Sequence, residues 1–220
     1  SDLIAGGSGG TTGAIVVGKA NSGYVGNINV DVSENAQVVN TATKKQGTDV
    51  APAIVVSDKN MSNSSMGYDK LEINVNVESD INGDVVQVSN LTDGTTTSDG
   101  GNTNLNLNNS TVNGNVINQS GSNMSVENTN VTGNVSNSSN GSILVNNSNV
   151  TGAVSNTCID GNLAVLDSNV GSKSGNVTMV NSTVNGAPAE DTATDKVEAY
   201  IGATPYETLE EAIAAAQDGD

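Results

Sequence analysis

The chain has 220 residues, a formal net charge of −17 and only four rings, all tyrosine. It contains no Phe, Trp, His or Arg. That inventory excludes a core packed around large aromatics, an imidazole base or ligand and a guanidinium clamp, and the acidic field repels nucleic acid, anionic lipid headgroups and acidic polysaccharides.

No stretch of the sequence approaches the ~18 apolar residues of a membrane span, and Ser1 opens without a basic, apolar signal. The expectation is a mature or excised piece of a longer protein. High Asn, Ser, Gly and Thr content is also the signature of disorder. The 29 valines argue against it, because they recur at regular positions.

The first hundred residues carry short apolar runs at long intervals. AIVV occurs at 14–17 and again at 53–56, and INVDV at 28–32 is echoed by INVNV at 73–77. Apolar residues alternating with small polar ones predict strands. Segments rich in Gly, Ser and Asn at 18–27, 41–47, 57–69 and 90–102 predict long loops, the preferred place for binding residues. INGDVV at 81–86 resembles VNGNVI at 112–117, which joins the two halves. The register of these early units is left open.

From residue 104 to 186 the sequence nearly copies itself. Leu105 opens LNLNNSTVNGNVINQSGS, Met124 opens MSVENTNVTGNVSNSSNG, and Ile143 opens ILVNNSNVTGAVSNTCIDG. Leu163 begins a shortened copy and Val177 a fifth. Gly114, Gly133 and Gly152 recur every 19 residues, as do Val112, Val131 and Val150. A period near 20 predicts stacked supersecondary units, here of short strands around a narrow interior of Val, Leu, Ile and Met. Asn109, Asn128, Asn147, Asp167 and Asn181 share one turn position, followed by Ser110, Thr129, Ser148, Ser168 and Ser182. Stacking at about 4.8 Å would set like side chains above one another, predicting amide and hydroxyl ladders rather than ligand contacts or glycosylation sites.

These valine-lined units and Asn turns resemble the right-handed, single-stranded parallel β-helix, the fold of pectate lyases and of many bacterial surface adhesins. The resemblance covers roughly residues 14–186 and implies an all-β solenoid. The hand is implied by the family and by the rule for parallel crossovers. The expected organisation is a β-helix over 1–186, with long irregular rungs to about 103 and regular rungs of about 19 residues over 104–186.

A Pro-, Ala- and acid-rich linker is expected at 187–196, then a strand–helix unit at 197–220. Val197, Ala199 and Ile201 alternate as a strand. Thr208 and Glu211 fit a capping box, Leu209, Ala212, Ile213 and Ala216 form an apolar helix face, and Gly219 is a stop. This tail resembles the opening of repeated modules in surface proteins of Gram-positive gut bacteria, in which such a helix caps the next β-helix. That resemblance implies a segment of a longer modular array. The alternative is a helix that caps this solenoid's own end.

Catalytic signals are sparse. Between residues 101 and 186 the only charged residues are Glu127, Asp160, Asp167 and Lys173. Asp80 and Asp84 are the nearest pair of carboxylates for acid–base cleavage of a glycoside, against the simpler reading as turn residues. Asp80, Asp84, Asp93 and Asp99 would be the donors for a weakly bound or structural Ca²⁺, although no EF-hand or nonapeptide calcium repeat is present. The lone Cys158 has no partner for a disulfide and reads as a structural thiol. An ice-binding face would need an unbroken Thr row, and Asn113, Thr132, Thr151, Gly171 and Asn185 do not supply one.

No catalytic, cofactor-binding or metal residue is therefore assigned. The expected function is a non-enzymatic, secreted or cell-wall-attached, adhesin-like stalk, whose loops or neighbouring modules meet a host protein or glycan. The alternative is a carbohydrate-active β-helix, a polysaccharide lyase or glycoside hydrolase, or its inactive glycan-binding relative.

Overall fold

The computed structural model describes residues 3–5, 13–19, 26–40, 52–60, 71–88, 103–192, 199–201, 204–206 and 209–216. The chain is mostly β, and its main sheets are parallel. Strands occur in three series. The first comprises Gly26–Val32, Leu71–Val77, Thr103–Asn108, Asn123–Glu127, Ser142–Asn146, Asn162–Leu166 and Thr178–Val180, hydrogen-bonded in that order as a seven-stranded sheet. The second runs through Leu3–Ala5, Gln37–Asn40, Asp80–Asn82, Thr111–Asn113 and Asn130–Val131. The third runs through Ile15–Lys19, Pro52–Asn60, Asp84–Val88, Val116–Gln119 and Val135–Asn137. Asn149–Asn156 is long enough to serve both of the latter series, pairing with Asn130–Val131 at its start and with Val135–Asn137 at its end.

From Gly26 to Val131 the chain visits the series in fixed order, so a strand pairs with the third one after it rather than with its neighbour. Because Asn149–Asn156 serves two series, the later strands of the stack pair with the second one after. One strand from each series makes a tier. The sequence echoes fall in register: Ile15 lies beside Ile54, Ile28 beside Ile73, Ile81 beside Val112 and Val85 beside Val116. The register that the early sequence left open is thus set by pairing. The extra residues of the early tiers fall largely in 41–51, 61–70 and 89–102, outside the described residues.

Period-2 alternation explains the interior. Leu105 and Leu107, Met124 and Val126, Ile143 and Val145, then Leu163 and Val165 point inward from the first series. Val112, Val131, Val150 and Val170 do so from the second, and Val116, Val135 and Val154 from the third. All are at most 2 % exposed. Each such side chain contributes roughly 1.5–3 kcal/mol by leaving water. Among the described residues no ring enters this cluster; a tier of such short strands brings opposing walls close enough that branched aliphatics fill the gap.

The glycines at the bend between the second and third series are a packing requirement. A Cβ at Gly133 would lie 2.4 Å from the Gly114 carbonyl oxygen, and one at Gly152 would lie 2.5 Å from that of Gly133. The same glycines are hydrogen-bonded N–H to O=C up the stack at 3.0 Å.

At the C-terminal end, Asn185 (φ 50°) and Gly186 (φ 76°) reverse the chain with two positive φ values, the conformation of a type I′ turn. Thr183–Val184 then pairs antiparallel with Ala187–Pro188. Residues 187–192, which open the segment expected to be a linker, are bonded to the last tier. Ala189 N–H donates to the Ser182 carbonyl, Thr192 N–H to that of Met179, and the Asp191 carboxylate accepts from Asn181 N–H. This fold-back occupies the exposed edge that a final parallel strand would otherwise leave.

Beyond it, Ala199–Ile201 and Thr204–Tyr206 form an antiparallel pair, the second strand of which the sequence did not announce. A short helix follows at Leu209–Ala215. Of its expected apolar face only Ala212 is buried; Leu209 and Ile213 are 59 % and 67 % exposed. Val197, the Thr208 cap and Gly219 lie outside the described residues. The Tyr200 hydroxyl is buried without a hydrogen-bond partner, and desolvation, followed by the nearby Asp191 charge, raises its pKa.

Val131, 1 % exposed, and its exposed neighbour Thr132 provide a direct test of the inward register. Val131→Asp is expected to cost more than about 4 kcal/mol and abolish cooperative urea unfolding, whereas Thr132→Asp, which gives up only the hydroxyl bond to the Val112 carbonyl, is expected to cost about 1 kcal/mol and leave unfolding cooperative.

Candidate functional site

The turn between the first and second series repeats on successive tiers, and its residues form three parallel columns. Asn109, Asn128, Asn147, Asp167 and Asn181 make the first, with φ between 45° and 48°. That left-handed conformation is costly for most side chains and most accessible to Gly, Asn and Asp, which explains why Asp167 substitutes for Asn here. The backbone N–H groups of the first four each reach the next tier: Asn109 to Glu127, Asn128 to Asn146, Asn147 to Leu166 and Asp167 to Val180. The expected amide ladder is present in pieces. Asn147 donates to the Asn128 side-chain oxygen, and Asn181 to the Asp167 carboxylate.

The second column is the hydroxyl ladder. Ser110, Thr129, Ser148, Ser168 and Ser182 are buried. Each hydroxyl accepts the backbone N–H of the equivalent residue one tier earlier, in the order Ser79 to Ser110, Ser110 to Thr129, Thr129 to Ser148, Ser148 to Ser168 and Ser168 to Ser182, at 3.0–3.3 Å. Each also donates to the carbonyl two residues before it. A hydroxyl carries both functions, so a single residue type satisfies both directions.

The third column, Asn130, Asn149, Asn169 and Thr183, begins the second series. Asn169 donates to the Asn149 side-chain oxygen at 2.9 Å, and Thr183 to that of Asn169 at 2.6 Å. Between the first and third columns runs a groove of about 620 Å³, floored by Thr129, Ser148 and Ser168 and walled by amides. Its lining holds no cation and one carboxylate, that of Asp167. Such a surface offers neutral donors and acceptors at the tier spacing, about 4.8 Å, and has no evident acid–base pair.

Two further columns escaped the sequence reading. Gln87, Asn118, Asn137 and Asn156 point inward at the end of the third series, at most 2 % exposed. Gln87 donates to the Asn118 side chain and the Asn123 carbonyl one tier on. The three asparagines donate to the backbone of the bends, Asn156, for example, reaching the Gly161 and Asn176 carbonyls at 2.7 and 2.8 Å. Their spacing of 19 residues from Asn118 to Asn137 to Asn156 was a usable signal, masked by the many other Asn. At the bend between the second and third series, Asp84 accepts from Asn115 N–H, Asn115 from Asn134 N–H, and Asn134 from Ala153 N–H, each at 2.8 Å.

That last column decides the standing of the candidate carboxylates. Asp84 is 1 % exposed and bonded to Asn115, while Asp80 is exposed. Asp84 therefore terminates a structural ladder and is not presented beside Asp80 to a substrate. Asp93 and Asp99 lie outside the described residues. Among the described residues no three of His, Cys, Asp and Glu gather as a metal site. Asp160 and Lys173 are exposed, and the Cys158 thiol is free and partly buried. Of the broken outer row, Gly171 is partly buried and the other four members are exposed.

Two substitutions separate the roles of these columns. Ser148→Ala is expected to lose about 1–3 kcal/mol in chemical denaturation, since Thr129 N–H is left buried and unpaired. Asn147→Val is expected to lose about 1–2 kcal/mol while Asn147→Gly stays close to the parent, because φ rather than the amide governs that position. Compared with protein families, curated proteins and solved structures, the chain finds no match in any of the three.

Proposed function

We propose that the chain is a non-enzymatic, extracellular stalk segment of a larger cell-surface protein, secreted or wall-attached. In this reading the three strand series wind as a right-handed parallel β-helix that holds loops or neighbouring modules out toward a host protein or glycan. The observation that carries the reading is the unbroken tier-to-tier register along the seven strands of the first series. At about 4.8 Å per tier it makes a rod roughly 30 Å tall whose polar groups are met mainly by the tiers above and below. Polar satisfaction by the rod itself leaves a stiff spacer that depends on no bound group. The reading assigns it no cofactor and no resident metal.

Two supporting features are chemical. Charge is nearly absent from the regular tiers, and Asp84, the best-placed acid of the early part, is consumed by a backbone contact. The C-terminal fold-back ends the parallel stack with a bonded edge, which suits a segment placed in series with others.

The reading is tested in two ways. Antibody against this chain is expected to label intact cells expressing the whole polypeptide; labelling only after lysis sinks the surface assignment. Incubation with uncharged and acidic polysaccharides, with and without Ca²⁺, is expected to release no new reducing ends and no unsaturated products. Cleavage of any of them replaces the stalk with a carbohydrate-active enzyme.

A further inference from the structure

The groove beside the hydroxyl ladder has hydrogen-bonding capacity that the fold does not use. In the first column Asn147 donates to Asn128, Asn128 turns aside to the Asn108 side-chain oxygen, and no bond joins Asn147 to Asp167 one tier on. Asn147 spends an amide hydrogen on Asn128, so its side-chain oxygen is the group turned toward the next tier. Asp167 is an acceptor there and accepts from Asn181 on its other side. Two acceptors thus follow one another, a tier apart at about 4.8 Å, with no donor between them. Across the groove the balance is reversed. The Asn130 side-chain amide makes no hydrogen bond among the described residues, and the Asn149 side chain is used only as an acceptor, which leaves its NH₂ group free.

We propose that this groove binds an extended, uncharged, polyhydroxylated chain, a neutral glycan, lying along the stack with its anchor at the Asn147–Asp167 gap. This rests on the stalk reading and names the class of glycan that such a stalk would hold. Adjacent hydroxyls on one sugar ring can donate one hydrogen each to Asn147 and Asp167. The ring and bridging oxygens accept from Asn149 and Asn130. A ligand that both donates and accepts fits these opposed walls; a metal ion would leave the amide donors unanswered. An acidic polysaccharide is disfavoured by the net charge of −17 and by a lining without any lysine. The repeat of tiers along this open groove matches a polymer rather than a single small molecule.

The prediction is specific to Asp167. Asp167→Asn supplies the missing donor, closes the ladder, and should weaken the glycan about tenfold through loss of one charge-assisted hydrogen bond. The side chain is exposed and the new residue is the one found at this position on neighbouring tiers, so melting temperature should stay equal or rise. Asn130→Ala is a second variant that removes no side-chain hydrogen bond of the fold.

Affinity electrophoresis of the full chain in gels cast with hydroxyethylcellulose, galactomannan or amylopectin, each referenced to a gel without polysaccharide, measures this. Expected is retardation in at least one neutral gel, none in polygalacturonate, and reduced retardation for both variants, unchanged by a chelator. The proposal is overturned by free migration in all neutral gels, by variants that bind like the parent, or by binding that a chelator abolishes. Such a failure leaves the stalk reading standing, since surface labelling and the cleavage panel judge that separately.

Discussion

Through the regular tiers most inward and turn side chains have a near-copy of themselves one tier away, at about 4.8 Å. A residue is therefore tolerated according to how well it meets its own kind. Valine stacks on valine by dispersion, serine on the backbone beside serine, and asparagine on asparagine as donor to acceptor. A carboxylate or an ammonium repeated at that spacing would repel itself. The scarcity of charge between residues 101 and 186 follows from this.

The acids that do occur in columns mark where a ladder starts or breaks. Asp84 stands at the head of the Asn115–Asn134 column, where it need only accept. Asp167 stands mid-column and leaves an unmet acceptor on each side of one tier gap. The same chemical fact, that a carboxylate cannot donate, makes the first harmless and the second a point of potential recognition.

Much of the interior was legible from alternation and period: the inward Val, Leu, Ile and Met residues of the regular units, the paired AIVV and INV runs, and the Ser/Thr turn column. Other features were not. Asn118, Asn137 and Asn156 are chemically identical to the exposed asparagines around them, and nothing in composition says which face inward. The Asn185–Gly186 reversal carried an ordinary hairpin signal, yet its function as an end closure depends on the Asp191 and Thr192 contacts across the last tier. The tail helix kept its place while Leu209 and Ile213 stayed largely exposed, because an apolar stripe predicts a face and not the surface that covers it.

By itself the sequence determined the β class, the tier period, the identity of the inward aliphatics and the absence of imidazole and guanidinium chemistry, since each depends on residue type and local spacing. Tertiary structure alone decided the early register, the burial of Asp84 away from Asp80, the interior amide column and the groove at Asp167. Those depend on which residues a parallel pairing sets beside one another across gaps of 14 to 45 residues. Local pattern carries no information about such separations until the hydrogen bonds between strands choose one.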